Sequence, residues 1–166
     1  LSPVEVARAT LARIDALNPR LNAYCIVDHE AALAAARASE RRWLAGTPLG
    51  PLDGVPTSIK DLILTRGWPT LRGSRTVDPR ATWDEDGPAV ARLRDHGAVL
   101  FGKTTTPEFA FKGTTDSPLT GITRNPWNTR MTPGGSSGGA SAAVAAGIGP
   151  LALATDAGGS VRIPAS

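Results

Sequence analysis

Lysine is scarce in this sequence, and its scarcity points to a chemical use. Arginine supplies fifteen of the 18 basic residues, and lysine occurs only as Lys60, Lys103 and Lys112. Because arginine does not lose its proton in proteins, only a lysine among these cations can act as a base. Lys60 lies in the segment PTSIKDL, where apolar neighbours would disfavour its charge. An ordinary ion pair with Asp61 at the end of a strand would explain the same residue.

Two segments rich in glycine and serine could supply a nucleophile. TPGGSSGGASAAVAAG (132–147) places Ser136 and Ser137 before a run of small apolar residues and contains no charge. Because a predicted helix follows the glycines directly, a flexible linker is not indicated. TDAGGSVR (155–162) has two glycines between the end of a predicted strand and Ser160. Successive N–H groups in such a turn can stabilise an oxyanion, although an ordinary Gly-Gly turn has the same sequence.

Two other chemistries are poorly supported. The histidines are His29 and His96, both at predicted helix ends and interpreted as surface residues, so a Ser-His-Asp triad is poorly supplied. GAVLFGKT (97–104) matches the phosphate-loop pattern, in which a strand precedes the first glycine. Here a predicted helix precedes that glycine and a predicted strand follows it, which argues against nucleotide binding.

Composition indicates one globular domain and excludes several partners. Of the 166 residues 41% are hydrophobic and 5% aromatic, and the net charge is +3 without basic runs, which argues against nucleic-acid binding. The single cysteine, Cys25, is interpreted as a small core residue and excludes a disulfide framework within the chain and a cysteine-based metal cluster. Without a signal peptide or a long apolar run, the sequence predicts a soluble cytoplasmic protein that does not bind membranes.

Helical and strand patterns alternate along the chain. Apolar spacing predicts a helix over 4–17, started by a Ser2–Glu5 capping box and ended by the segment NPR. The other predicted helices run from the cap Asp28 to Leu44, from the cap Asp86 to His96 and from Gly139 to Ile148, with a short one in TPEFAF. The predicted strands are AYCIV, AVLFGK and PLALATD, and TSIKDLI is a further short apolar run. This alternation predicts an α/β layered fold with a central mixed, largely parallel sheet covered by helices.

Five segments together resemble the amidase signature family in their order and spacing. They are PLDGVPTSIKD, GAVLFGKTTTPEF, TRNPWN, TPGGSSGGASAAVAAG and LATDAGGSVRIPAS. The resemblance extends from about Ser2 to the last residue. The GGSSGG and DxGGSxR blocks, whose serines 136 and 160 lie 24 positions apart, are its most specific part.

The resemblance implies an amidohydrolase that works through an acyl-serine with a Ser–cis-Ser–Lys triad, without metal or cofactor. Ser160 would be the nucleophile, Ser136 a bridging serine after a cis peptide bond, and Lys60 the base. The supporting positions are Ala157, Gly158, Gly159 and the Ser160 N–H for an oxyanion hole, Ser137 as a hydrogen-bond partner near the lysine, and Asp156 and Arg162 as braces of the loop.

The residue types fit that assignment. An amine with a reference pKa near 10.4 acts as a base only where its charge is disfavoured, and the uncharged residues around Ser136 would supply such a site. The positive end of the helix that begins at 137–139 would lower the pKa of Lys60 further. Because the lysine cannot be assumed to lie next to Ser160, a hydroxyl relay through Ser136 is expected.

The expected partner is a small-molecule amide, with a homodimer or a partner subunit possible. The segment TTPEFAFKGTTDSPLTG is more similar to stand-alone amidases than to the subunit that serves tRNA-dependent transamidation. The alternative is a non-catalytic fragment or a partner-dependent subunit, such as the glutaminase subunit of a tRNA-dependent amidotransferase. Two positions depart from the family pattern, with Thr105 in place of the usual asparagine and Ala157 in place of a hydroxyl residue.

Family members run to several hundred residues, and this chain begins without methionine and stops just after Ser160. We therefore expect the N-terminal part of a single domain, with a helical region at 1–50 and the start of the catalytic core at 51–166.

Overall fold

A four-stranded sheet forms the centre of the protein, in a computed structural model that describes residues 1–166. The strands of the chain are β1 (Tyr24–Val27), β2 (Pro56–Lys60), β3 (Val99–Thr104), β4 (Asp116–Ser117), β5 (Gly121–Ile122) and β6 (Leu151–Leu153). The central order is β1-β3-β2-β6, and β4 and β5 form a separate two-stranded hairpin. β2 is parallel to β3 and β6, whereas β1 is antiparallel to β3. The predicted mixed, largely parallel sheet is confirmed.

Helices cover both faces of this sheet. They are α1 (Pro3–Leu21), α2 (His29–Leu44), α3 (Pro88–Asp95), α4 (Gly138–Ala145) and α5 (Arg162–Ala165), with a 3-10 turn at Glu108–Ala110. The main core cluster joins α1, α2 and α4 to Val99 and Phe101 of β3. Leu100 faces the other way and packs with Ile59 of β2 and Val90 of α3, as the alternation of side chains along a strand requires.

The first helix ends later than predicted, since it continues through Pro19 to Leu21. Asn18 explains the later end. Its side-chain oxygen accepts the N–H groups of Ala23 and Tyr24 at 2.8 Å, and its carbonyl oxygen accepts the N–H of Asn22. These bonds satisfy the end of the helix despite the N–H that proline lacks.

Three other boundaries differ from the sequence prediction. The N-cap of α3 is Gly87 rather than Asp86, because the Asp86 carboxylate accepts the Arg66 N–H and pairs with Arg94 instead. α4 ends at Ala145, before the predicted Ile148. β6 ends at Leu153, before the predicted Asp156, because its pairing with β2 stops at Ile59 and Leu153.

The N-terminal 50 residues share the central sheet and the main core with later segments, since β1 pairs with β3 and α1 packs in the cluster that contains Ala142 of α4. The functional division at residue 50 stays a prediction. None of the helices is long and apolar enough to cross a membrane.

Candidate active site

Lys60 is the last residue of β2, a strand in which every residue is buried. Its side chain is fully buried, with 0% exposure. The next residue, Asp61, pairs with Lys103, whose Nζ lies 3.6 Å from Asp61 Oδ1. Asp61 therefore pairs with Lys103, and not with Lys60 as the sequence allowed.

The glycine-serine segment approaches Lys60 through two left-handed glycines, Gly134 (φ 82°) and Gly135 (φ 67°). A Cβ at Gly135 would collide with the carbonyl oxygen of Ser160, so only glycine lets the two segments come this close. The expected cis peptide bond before Ser136 is wrong, because every peptide bond of the chain is trans. The two left-handed glycines make the turn instead.

Helix α4 begins beside the lysine. Its N-cap is Ser137, whose hydroxyl makes no capping bond and instead lies 3.0 Å from Lys60 Nζ. Gly139 in its first turn lies against the residue that follows β3, where an added Cβ would come within 2.6 Å of the Thr105 carbonyl oxygen. Because that contact brings the helix N-terminus close to the sheet, its positive partial charge acts near the amine.

The segment after β6 is organised by Asp156. Its carboxylate accepts the N–H groups of Gly159 (2.7 Å), Val161 (3.1 Å) and Arg162 (3.0 Å). The Arg162 guanidinium adds two bonds, from Nε at 3.1 Å and Nη2 at 2.8 Å. Hydrogen bonding to Arg162 first, and to these N–H groups, holds the pKa of Asp156 well below its ordinary value. The resulting loop presents Ser160.

Four hydroxyl groups converge on the buried amine. Lys60 Nζ lies 2.8 Å from Ser136 Oγ, 3.0 Å from Ser137 Oγ, 2.8 Å from Thr155 Oγ1 and 3.1 Å from Ser160 Oγ. Thr155 was missed by the sequence analysis. Its available signal was its place after β6, which is parallel to β2 and therefore ends at the same edge of the sheet.

The hydroxyls also contact one another, and the hydrogen bonds that each can donate distinguish Ser136 from Ser137. Ser136 Oγ and Ser137 Oγ lie 2.5 Å and 2.6 Å from Ser160 Oγ. Ser137 donates its single proton to the Thr155 carbonyl oxygen at 3.0 Å, so it can only accept from Ser160 and Lys60. Ser136 has no such carbonyl partner, and its hydroxyl is free to accept from Ser160 and donate to a neutral lysine.

Burial lowers the pKa of Lys60 to about 8, and the nearby negative charge of Asp156 opposes this shift. A neutral amine has two protons and one lone pair. With its protons donated to Ser137 and Thr155, the lone pair is available to Ser136 or Ser160. The geometry thus permits both the relay and a direct contact between lysine and Ser160.

The N–H groups before Ser160 are only partly available to a ligand. Gly159 does not fit the expected oxyanion set, because Asp156 already accepts its N–H. No hydrogen bond within the chain uses the N–H groups of Ala157, Gly158 and Ser160.

A cavity of about 370 Å³ opens onto Ser160. It is lined by Leu62, Phe109, Ala110, Phe111, Lys112, Gly113, Ser136, Thr155, Ala157, Gly158, Ser160 and Ile163. A larger cavity of about 660 Å³ lies between the start of α1 and the end of α2, and contains none of the four hydroxyls. The chemistry of the converging groups, rather than cavity size, identifies the candidate site.

A serine hydroxyl lies 3.1 Å from a fully buried lysine at the carboxyl edge of the parallel strands, an arrangement of the class in which serine can be activated without histidine. Comparison with known proteins gives the family. The sequence profile of the family described as Amidase matches residues 5–166. The chain therefore belongs to the amidase family, whose enzymes carry the amidase signature.

Curated relatives include a glutamyl-tRNA(Gln) amidotransferase subunit of Acidothermus cellulolyticus, 48% identical over all of this chain and 33% of the relative. The corresponding subunit of Azoarcus sp. is 50% identical over all of this chain and 34% of the relative. This chain thus spans about a third of the length of the curated relatives it matches.

Solved structures of amidases share the fold. One amidase is 42% identical, with a TM-score of 0.92 over 99% of this chain and 37% of that chain. The peptide amidase of Stenotrophomonas maltophilia is 36% identical, with a TM-score of 0.92 over 99% of this chain and 35% of that chain.

Proposed function

We propose that the protein containing this sequence hydrolyses a carboxamide C–N bond through an acyl intermediate on Ser160, with Ser136 and Lys60 as its proton relay. The observation that carries the proposal is the continuous path from Ser160 Oγ to Ser136 Oγ (2.5 Å) and on to Lys60 Nζ (2.8 Å). With a pKa of about 8, about a tenth of the lysine is neutral at pH 7 and about half at pH 8, and the neutral amine can accept the proton.

In the first half of the reaction, Ser160 Oγ attacks the carbonyl carbon of the amide. Its proton passes to Ser136, and the proton of Ser136 passes to Lys60. The substrate oxygen becomes an oxyanion, which the unpaired N–H groups of Ala157, Gly158 and Ser160 can stabilise. Collapse breaks the C–N bond, and the leaving amine takes the proton back from Lys60 along the same path.

In the second half, water attacks the ester carbon of acyl-Ser160. The water gives its proton to the relay, the carboxylic acid leaves, and Ser160 recovers its proton. Thr155 and Ser137 contribute by accepting the two N–H bonds of the neutral lysine, which orients its lone pair toward the relay.

The test is covalent labelling of the intact natural protein by a serine-directed sulfonyl fluoride, followed by peptide mass spectrometry. We expect one adduct on Ser160, no labelling in Ser160→Ala, and strongly slowed labelling in Lys60→Met. Thr104→Val is a matched control, because Thr104 of β3 is buried opposite Lys60 of β2 and its hydroxyl has no hydrogen-bond partner. A folded protein that turns over no amide and acquires no label on Ser160 would refute the proposal.

A second candidate has its own observation. The two amidotransferase subunits reported above match the whole of this chain at 48% and 50% identity. On this alternative the same acyl-serine chemistry releases ammonia from an amide donor for a partner protein. The two candidates differ in whether the isolated natural chain hydrolyses simple amides at full rate. Strong stimulation by a co-purified partner, with ammonia consumed by a second reaction, would favour the partner-dependent subunit.

A further inference from the structure

A second fully buried lysine lies on the opposite face of the sheet from the candidate active site. Lys103 of β3 is 0% exposed and pairs in register with Ile59, one residue before Lys60. Because side chains alternate along a strand, Ile59 and Lys60 face opposite sides, and Lys103 faces with Ile59. The proton path from Ser160 does not involve Lys103.

The partners of the Lys103 amine all belong to the loop that follows Lys60, here named the clamp loop (residues 61–74). Lys103 Nζ donates to the Ile63 carbonyl oxygen at 2.9 Å and to Thr70 Oγ1 at 2.7 Å, and lies 3.6 Å from Asp61 Oδ1. Asp61 Oδ2 in turn accepts the Gly73 N–H at 3.3 Å. One buried cation therefore ties the beginning, middle and end of an otherwise irregular loop.

The far end of the clamp loop holds the wall of the site cavity. The Arg72 carbonyl oxygen accepts the Phe109 N–H at 2.8 Å, and Ser74 Oγ donates to Glu108 Oε1 at 2.7 Å. Gly73 packs so closely on the 106–107 backbone that a Cβ there would lie 2.6 Å from the Thr106 carbonyl oxygen.

Phe109 and Ala110 need such support. Both have left-handed backbone angles, with φ of 49° and 56°, in a region that residues other than glycine occupy only when their surroundings hold them there. Both line the cavity beside Ser160, and Leu62, at the near end of the clamp loop, lines the same cavity. The clamp loop thus contributes to the cavity wall directly and through this strained turn.

We propose that Lys103, paired with Asp61, is a positioning residue for substrate binding: it fixes the clamp loop, and through it the Phe109–Ala110 wall that faces Ser160. This inference rests on the proposed amide hydrolysis. Loss of the pair displaces the wall without touching the proton relay, so it weakens substrate binding and leaves the chemical step unchanged. The effect grows with the size of the substrate group that contacts the wall.

The experiment measures kcat and KM of Lys103→Met in the intact natural protein, over a series of amides of increasing acyl size. Enzyme concentration is normalised by Ser160 labelling. We expect KM to rise roughly ten- to a hundredfold for the bulkiest amides and less for the smallest, since an apolar contact the size of one methylene group in a pocket is worth a factor of about this order. We expect kcat per labelled site and the pH profile to stay as in the wild type. Thr104→Val, at the next position of the strand, is the control for a merely structural change.

Removing one member of a buried ion pair can prevent folding, so two further variants accompany it. Lys103→Met with Asp61→Asn removes both charges, and Thr70→Val removes one hydrogen bond while keeping the pair. Unchanged KM for all amides in the folded variants overturns the inference, as does a loss confined to kcat. A wild type that neither hydrolyses amides nor labels on Ser160 overturns the proposed function as well. A labelled, active wild type with an insensitive KM overturns only the role of Lys103.

Discussion

Replacing Lys60 by methionine should abolish amide hydrolysis and also change how stability depends on pH. The pKa of Lys60 is about 8 in the folded protein against an ordinary value of 10.5, because the side chain is buried. Between these two values the unfolded chain binds more protons than the folded one, so the contribution of Lys60 to stability increases as pH rises. Below about pH 8 both states are protonated and the full penalty for burying the charge is present.

The size of the effect follows from the two pKa values. At 1.36 kcal/mol for each unit of pKa, the penalty for this buried side chain below pH 8 amounts to about 3 kcal/mol. The variant also loses hydrogen bonds to four hydroxyls. Those hydroxyls do not titrate in this range, so their loss offsets the two stability curves without changing the slope of their difference.

The assay is denaturant unfolding of wild type and Lys60→Met, in the intact natural protein, at several pH values from 7 to about 10.5. We expect the stability of the wild type relative to the variant to rise by about 3 kcal/mol across this range. Thr104→Val is the matched control, because Thr104 is the buried residue opposite Lys60 on β3, carries no titrating group and should leave the slope unaltered. Parallel curves for wild type and Lys60→Met would show that the folded protein does not disfavour the charge, and the assignment of Lys60 as a base would lose its physical ground.

Three further predictions concern the site and its support. The kcat/KM for amides should increase with pH to a plateau with a midpoint at about 8, as the Lys60 amine loses its proton; a profile flat from pH 6 to 9 contradicts this. Asp156→Asn should slow Ser160 labelling roughly a hundredfold, since the loop N–H groups lose the carboxylate that orients them; circular dichroism checks the fold, and wild-type labelling would exclude that role. Gly139→Ala should destabilise the protein by about 1–3 kcal/mol in urea unfolding, because the methyl group meets the Thr105 backbone, whereas Gly113→Ala, which has open space, should not.

Much of the fold could be predicted because its determinants are local. The capping box at Ser2 and Glu5 starts α1, and Asp28 caps α2 by accepting the Ala31 N–H. β3, predicted from its apolar run, is buried along its whole length, whereas β1 and β6 are buried only in part. Such runs carry enough information to indicate a largely parallel sheet.

Two predictions, one of a helix cap and one of an oxyanion donor, failed because of competition for side-chain hydrogen bonds. Asp86 was a plausible cap for α3 by residue type, but Arg66 and Arg94 recruit its carboxylate. Likewise, Gly159 resembles an oxyanion donor in sequence, yet Asp156 takes its N–H. Which of several nearby donors an aspartate accepts is decided by tertiary structure, so spacing alone cannot predict it.

The candidate site, like the fold, could be predicted from the sequence only in part. The sequence resemblance brought Lys60, Ser136 and Ser160 together, but it did not indicate Thr155 as the fourth hydroxyl on the amine. Nor could it show that Asp61, the immediate neighbour of Lys60, pairs with Lys103. The pairing reflects the alternation of side chains across β2 and β3, which becomes visible only once the register of the two strands is known.

Asp156 and Arg162 form an ion pair next to Lys60, and the two residues are best considered together. A carboxylate near a buried lysine stabilises the protonated amine, and Asp156 indeed acts against the lowered pKa of Lys60. The carboxylate of Asp156 also accepts the N–H groups of Gly159 and Val161, and these hydrogen bonds order the loop around Ser160. Arg162 donates two hydrogen bonds to the same carboxylate, so a positive charge lies directly beside the negative charge of Asp156. Burial is the larger of the two effects on Lys60, so its pKa is lowered to about 8 although Asp156 opposes the shift.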